Sequence, residues 1–93
     1  MLTWPSKDPN EVLDYEADWS LRLETTETIA TSVFSIVTGT VVINSQPSAV
    51  GATAAVVWLS GGAAGELCTI LNRVTTSAAR TYDQTFRLRI RTR

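Results

Sequence analysis

The acidic residues of one short segment have the spacing that a cation site would need. Asp14, Glu16 and Asp18 occupy alternate positions, so in an extended chain their carboxylates point the same way, about 7 Å apart. Carboxylate oxygens are ligands for Ca²⁺, but no loop with the oxygen geometry of a calcium site surrounds these three residues. We therefore expect a solvated acidic face next to a basic neighbour, with no metal and no cofactor.

A second row of charged residues lies at the C-terminal end, where Arg87, Arg89, Arg91 and Arg93 alternate in the same way. Guanidinium groups can contact phosphate, and each such contact makes binding sensitive to salt. No aromatic residues are interleaved with these arginines, however, and the whole chain has a net charge of −1. Nucleic-acid binding is therefore not expected. Ion pairs with another protein and plain solvation remain as alternatives.

The residue types that carry most enzyme chemistry are scarce in this chain. It contains no histidine, so the commonest general base and zinc ligand is missing. Its single cysteine, Cys68, cannot form an internal disulfide and is expected to be a small buried hydrophobe. The glycines at 61, 62 and 65 lack the Lys-Ser/Thr ending and the helix of a phosphate loop. We therefore expect a protein that is not an enzyme.

Charge is divided unevenly along the sequence. Residues 1–46 contain seven acidic and two basic residues, a sum of −5, whereas residues 47–93 contain two acidic and six basic residues, a sum of +4. In one interpretation an N-terminal strand lies beside the C-terminal strand and the charges are neutralised within one molecule. In the other, the acidic surface of one subunit meets the basic strand of the next, which favours a symmetric assembly of several copies.

The size and composition indicate one folded domain. A chain of 93 residues with 44% apolar and 18% charged residues can build a single two-layer core. Pro5 and Pro9 favour extended backbone, so we expect an extended N-terminal arm over residues 1–11 and a folded domain over residues 12–93. No apolar run has the length of a membrane helix, and the N-terminus lacks the order of a signal peptide. We therefore expect no membrane partner and a protein made in the cytoplasm.

Three signals predict the strands of this domain: alternation of apolar and polar residues, β-branched residues over 25–38, and apolar residues on both faces of 53–60, which should be a central strand. The predicted strands are residues 12–23, 25–38, 40–44, 53–60, 66–76 and 86–91, with turns at 44–48 and 77–83. Phe34 and Ile36 are expected to face the core, with Ile29 on the opposite face. The chain is therefore expected to be all-β, an immunoglobulin-like or fibronectin-like β-sandwich of six to seven antiparallel strands.

Motifs along nearly the whole chain are similar to those of a known family. The first half contains Trp4-Pro5-x-Lys7-Asp8-Pro9-x-Glu11-Val12-Leu13-Asp14-Tyr15-x-x-Asp18-Trp19-Ser20. The second half contains Val57-Trp58-Leu59-Ser60-Gly61-Gly62-x-x-Gly65, Leu71-Asn72-Arg73-Val74-Thr75-Thr76, Arg80 and Phe86-x-Leu88-x-Ile90. In these residues the chain resembles the small structural proteins of tailed bacteriophages that are described as fiber-tail adaptor proteins. The resemblance implies a virion protein that joins tail or neck proteins to a fiber, or, as the alternative, one that decorates the capsid.

Two positions depart from the pattern of that family. Cys68 stands where the pattern has a tyrosine, so a tyrosine-corner hydrogen bond is not available there. Ala78-Ala79-Arg80 stands where the pattern has Asp-Gly-Arg, so a left-handed glycine position is lost and a looser turn is expected.

Trp4, beside Pro5 in the predicted arm, is the aromatic residue that we assign to a partner. Aromatic residues are enriched among interface anchors, and the alternative is that Trp4 folds back onto the core of its own domain. The expected partners are other virion proteins. The predicted protein interface consists of Trp4, Pro5, Asp8, Asp14, Glu16, Asp18, Arg87, Arg89 and Arg91.

Overall fold

Strands make up the regular structure of the chain in a computed structural model that describes residues 2–44, 49–50 and 52–92. They are β1 (Leu2–Thr3), β2 (Leu13–Asp18), β3 (Ile29–Thr38), β4 (Val41–Ile43), β5 (Ala49–Val50), β6 (Ala54–Gly61), β7 (Leu67–Thr76) and β8 (Thr81–Arg89). The prediction of an all-β chain is confirmed. The predicted count of six to seven strands is too low, because the two-residue strands β1 and β5 are too short to show alternation. Residues 45–48 of the predicted turn at 44–48 lie outside the described residues.

The strands form two sheets that share one core. The first sheet has the order β1-β8-β7-β3, and the second has the order β2-β6-β4 with β5 also beside β6. The pairs are antiparallel except for β1, which runs parallel to β8, so the prediction of only antiparallel strands is wrong at this position. The core takes Phe34, Ile70, Val74, Phe86 and Leu88 from the first sheet and Tyr15, Ala17, Val41, Ala55, Val57 and Leu59 from the second.

The two strands with the clearest alternation fold as predicted. Cys68, Ile70 and Val74 of β7 are fully buried, and Leu88 of β8 is fully buried between exposed arginines. Strand β6 is central in its sheet, as expected, although Trp58 on its outer face remains 37% exposed. The turn predicted at 77–83 is shorter, because residues 81–83 already pair with β7.

Two predicted strands depart from a continuous period of two. The strand expected over residues 12–23 ends at Asp18, because the amides of Arg22 and Leu23 both bond to the Trp19 carbonyl in a turn that leaves Leu21 99% exposed. In β3 a register shift follows Ile29, so Ile29 and Phe34 are both buried although they were expected on opposite faces. An extra residue at such a bulge inverts the order of inward and outward positions.

The turn between β7 and β8 contains an alanine in a left-handed conformation. Ala79 has φ 60°, and its amide bonds to the Thr76 carbonyl at 3.0 Å. A side chain in this conformation crowds the following carbonyl, whereas glycine does not. The turn is therefore formed without the glycine of the family pattern, at the cost of local strain.

Replacing this alanine should stabilise the protein. Ala79→Gly removes a strain of about 1–2 kcal/mol, and the greater freedom of glycine in the unfolded chain offsets about 0.5–1 kcal/mol of the gain. We expect the free energy of unfolding, measured with urea, to rise by up to about 1.5 kcal/mol. Ala78→Gly, in the same turn but without a positive φ, should lower it; an equal response of the two variants would contradict the assignment of strain to Ala79.

Glu66 joins two turns at one end of the sandwich. Its carboxylate accepts hydrogen bonds from the amide and hydroxyl of Thr40 at 3.1 and 2.9 Å, from the Cys68 thiol at 3.2 Å and from the Ala63 amide at 3.3 Å. These donors, with the Thr40 amide first, lower the pKa of Glu66 to about 2. The ionised carboxylate thus holds the β3–β4 turn against the β6–β7 turn.

This arrangement predicts how stability depends on pH. The contribution of ionised Glu66 is fully present above the ordinary glutamate pKa of 4.5 and is lost as pH falls towards about 2. Between these pH values the urea midpoint of the wild-type protein should therefore fall more steeply than that of Glu66→Gln. Other carboxylates contribute equally to both proteins, so parallel profiles would show that Glu66 does not carry this stability.

Candidate protein-protein interface

Trp4 lies between the two sheets at one edge of the sandwich. Its amide bonds to the Arg87 carbonyl of β8 at 2.9 Å, and its indole nitrogen donates to the Glu16 carbonyl of β2 at 3.0 Å. The ring stacks on Phe86 from the first sheet, with centroids 4.2 Å apart, and on Tyr15 from the second, 4.9 Å apart. With 7% of its surface exposed, Trp4 folds back onto its own core, the second of the two alternatives.

The residues after Trp4 continue along β8. Lys7 pairs with Ile90 in a parallel bridge, and its amide bonds to the Arg89 carbonyl at 3.0 Å. The side chain is fully buried, and its ammonium group donates hydrogen bonds to two carbonyls, that of Gly61 in the second sheet at 2.7 Å and that of Asp8 at 2.9 Å. Burial lowers the pKa of Lys7. We call residues 2–9, which lie against the sandwich over this length, the N-terminal strap.

Asp8, one of the predicted interface residues, shapes a turn at the end of the strap. Its carboxylate accepts the Asn10 amide at 2.8 Å, and its own amide donates to the Glu11 carboxylate at 2.7 Å. The side chain is largely buried, with 9% of its surface exposed. Asp8 thus has a structural role in the strap.

An open groove of about 560 Å³ lies between the strap and β2. Its lining residues are Trp4, Pro5, Ser6, Glu11, Leu13, Asp14, Tyr15 and Glu16. The Tyr15 hydroxyl donates to the Pro5 carbonyl at 3.0 Å, which fixes one wall. Four of the predicted interface residues therefore meet at this groove: Trp4, Pro5, Asp14 and Glu16. We call it the seam groove, because it lies where the edges of the two sheets meet.

Asp14, Glu16 and Asp18 form an exposed acidic row on β2, an edge strand of the second sheet. Their neighbours on β6 are Trp58, Val56 and Ala54, in that order. The Asp18 carboxylate accepts the Ser20 amide at 2.9 Å, which lowers the pKa of Asp18. The outer face of the second sheet thus combines a row of carboxylates with an apolar strip.

Arg87, Arg89 and Arg91 form the arginine row, and all three are exposed. Arg93 lies outside the described residues. On the adjoining strand β7, Thr69 is the neighbour of Arg87, and Leu67, with 44% of its surface exposed, is the neighbour of Arg89. This row lies on the outer face of the first sheet, so the sequence correctly predicted its one-sided arrangement.

The two rows point away from each other. Both sheets turn their inner faces to the shared core, so outward side chains of β2 and β8 leave the sandwich in opposite directions. The strand that pairs beside β8 is β1, which contains only Leu2 and Thr3, whereas the acidic strand belongs to the other sheet. An N-terminal strand thus does lie beside the C-terminal strand, as in the first interpretation, but this strand is uncharged. The acidic and basic halves of the chain pair within the molecule elsewhere, where Glu27 and Arg80 lie 3.3 Å apart.

Sequence reasoning missed the exposed apolar residues beside both rows. Neither Trp58 nor Leu67 was predicted as an interface residue, because no local signal separates an inward from an outward apolar residue in an apolar run. Their register with Asp14 and Arg89 appears only in the folded sheets. Such exposed apolar residues next to charges are typical of contact surfaces.

Cys68 and the acidic side chains are the other groups with potential chemistry in the part of the chain that the structure describes. Cys68 is buried, as predicted, and burial raises the pKa of its thiol. Within the described residues no group of three acidic or cysteine side chains could hold a metal ion. Among the same residues, no helix has the length and apolar character needed to cross a membrane.

The contacts of Trp4 predict its contribution to stability. Trp4→Phe keeps an aromatic ring between the sheets but removes the donor to Glu16 and part of the ring volume. We expect the free energy of unfolding to fall by about 1–3 kcal/mol in urea titrations. Trp58→Phe, the same exchange on the outer face, should change it by no more than about 0.5 kcal/mol. Similar losses in both variants would show that the seam position has no special importance.

Most of the chain matches a known protein family. A family model described as "Podophage GP4 fiber-tail adaptor protein gp77" matches residues 7–89. The matched segment begins at the buried Lys7 and includes the acidic row and two of the three described arginines of the arginine row. No curated protein matches the chain significantly.

Proposed function

We propose that this chain, which belongs to the podophage GP4 fiber-tail adaptor protein gp77 family, joins tail or neck proteins to a fiber. The family supports a structural role in a phage tail. In this proposal the protein is part of the virion, is made in the host cytoplasm and acts through protein–protein contacts rather than by catalysis. An immunoglobulin-like arrangement of the two sheets provides the rigid body that an adaptor needs.

The observation that carries the proposal is the position of the two charged rows on opposite faces. A domain with an acidic face and a basic face can be bound by neighbours on both sides at once. Charge complementarity selects and orients such neighbours, and the apolar residues beside each row supply area to bury. Trp58 beside Asp14 and Leu67 beside Arg89 fill this second role.

The seam groove offers a further contact. Its walls combine the rings of Trp4 and Tyr15 and the exposed Pro5 with the carboxylates of Asp14 and Glu16. An extended segment of another virion protein, with apolar and basic residues, matches this lining. The interface residues predicted from the sequence thus act in two ways: Asp8 and the Trp4 ring hold the strap in place, and the others meet the neighbours.

Particles assembled without this chain test the adaptor role. We expect such particles, viewed by electron microscopy, to have heads and tails but to lack fibers. Supplying the wild-type chain, or Thr25→Arg as an exposed control on a turn, should restore the fibers. Fibers on particles that lack the chain would overturn the proposal.

The number of copies in the virion separates the adaptor from a capsid decoration protein. A closed ring at a tail or neck contains a few to a few tens of copies, whereas decoration of the capsid lattice requires hundreds. Quantitative mass spectrometry of purified virions should give the lower range. Hundreds of copies would instead indicate a capsid decoration protein.

A further inference from the structure

We propose that the acidic row of one copy of this chain binds the arginine row of the next copy, so that copies associate head to tail. This inference rests on the proposed function, since it names the neighbour that meets the two charged faces. The occupant of both faces is then a second copy of the same domain.

The two rows have the same spacing. Asp14, Glu16 and Asp18 stand at every second position of β2, and Arg87, Arg89 and Arg91 stand at every second position at the end of the chain. Arg91 lies beyond β8, but its amide bonds to the Lys7 carbonyl at 2.8 Å, which continues the extended line. Both rows therefore repeat at about 7 Å, and three carboxylates can meet three guanidinium groups when the two faces are opposed with these strands aligned.

The directions of the rows determine the type of contact. Because the rows leave opposite faces of one molecule, an acidic row finds its complement on a different copy. A two-fold contact of either face with itself would bring like charges together, whereas a contact between unlike faces pairs them. Such a heterologous contact leaves one row of each sign at the ends, so copies add until a ring closes or a stack grows.

The surroundings of the rows add to this complementarity. Arg73 and Asp83, which also lie on the outer face of the first sheet, bind each other at 2.8 Å and add no net charge to it. Isolated exposed ion pairs contribute little to association. Here, Trp58 and Leu67, 37% and 44% exposed, adjoin the rows and can exclude water from the pairs. Exclusion of water strengthens each ion pair.

Charge exchange between the two faces tests the contact with the chain alone. One variant carries Asp14→Arg, Glu16→Arg and Asp18→Arg, and the other carries Arg87→Glu, Arg89→Glu and Arg91→Glu. In analytical ultracentrifugation at about 20 mM salt, we expect the wild-type chain to associate with rising concentration and each variant to stay monomeric. An equimolar mixture of the two variants should associate again, because each then meets a face of opposite charge.

Controls separate this contact from general charge effects. Glu24→Arg reverses an exposed acid outside the row and should associate as the wild-type chain does. Salt at about 1 M should dissociate both the wild-type assemblies and those of the mixed variants. Circular dichroism confirms that each triple variant is folded, since all six positions are exposed.

Two results would overturn the inference. One is a wild-type chain that stays monomeric at the highest attainable concentration in low salt. The other is a mixture of folded variants that fails to associate. Neither result affects the adaptor proposal, which the loss of fibers from particles tests separately, and fibers without the chain would leave association of the purified chain unchanged.

Discussion

The stacking of Trp4 between Phe86 and Tyr15 is the contact on which the arrangement of the two sheets depends. Within the described residues, no strand of one sheet pairs with a strand of the other, so the layers meet chiefly through side chains, beside the bond from the Ile29 amide to the Ala52 carbonyl. Trp4 is bound by its main chain to β8 and by its indole nitrogen to the edge strand β2. It therefore covers the gap between the two sheet edges. Its bond to the Glu16 carbonyl also takes up an acceptor on the β2 edge, with which another strand could otherwise pair.

Two buried polar contacts fix the relative position of the sheets, which apolar contact alone does not do. The Lys7 ammonium reaches the Gly61 carbonyl of the second sheet, and the Trp19 indole donates to the buried Asn72 side chain of the first at 2.9 Å. Apolar burial has no preferred direction, whereas a buried donor is costly unless its acceptor is in place. These contacts therefore hold the sheets in one relative position, and with it the directions of the two charged rows.

The sequence predicted best the features that depend on a single strand, namely which of its residues are buried and which are exposed. Alternation in β7 and β8 identified the buried and exposed residues, and it identified the acidic and arginine rows as rows. It was wrong at Ile29 and Leu21, where a bulge and a turn interrupt the period of two. The role of Trp4 could not be derived in the same way, because its partners Glu16 and Phe86 are brought near only by the complete fold.

The relation between the rows shows why alternation has this limit. A period of two indicates on which side of its own strand a residue lies, but it contains nothing about the sheet to which the strand belongs. The uneven charge along the chain is therefore compatible with neutralisation inside one molecule and with contact between molecules. The topology adds what alternation lacks: β8 is beside the uncharged β1, and β2 is at the edge of the opposite sheet. For these two rows, separation of charge along the sequence has become separation of charge between two faces of the sandwich.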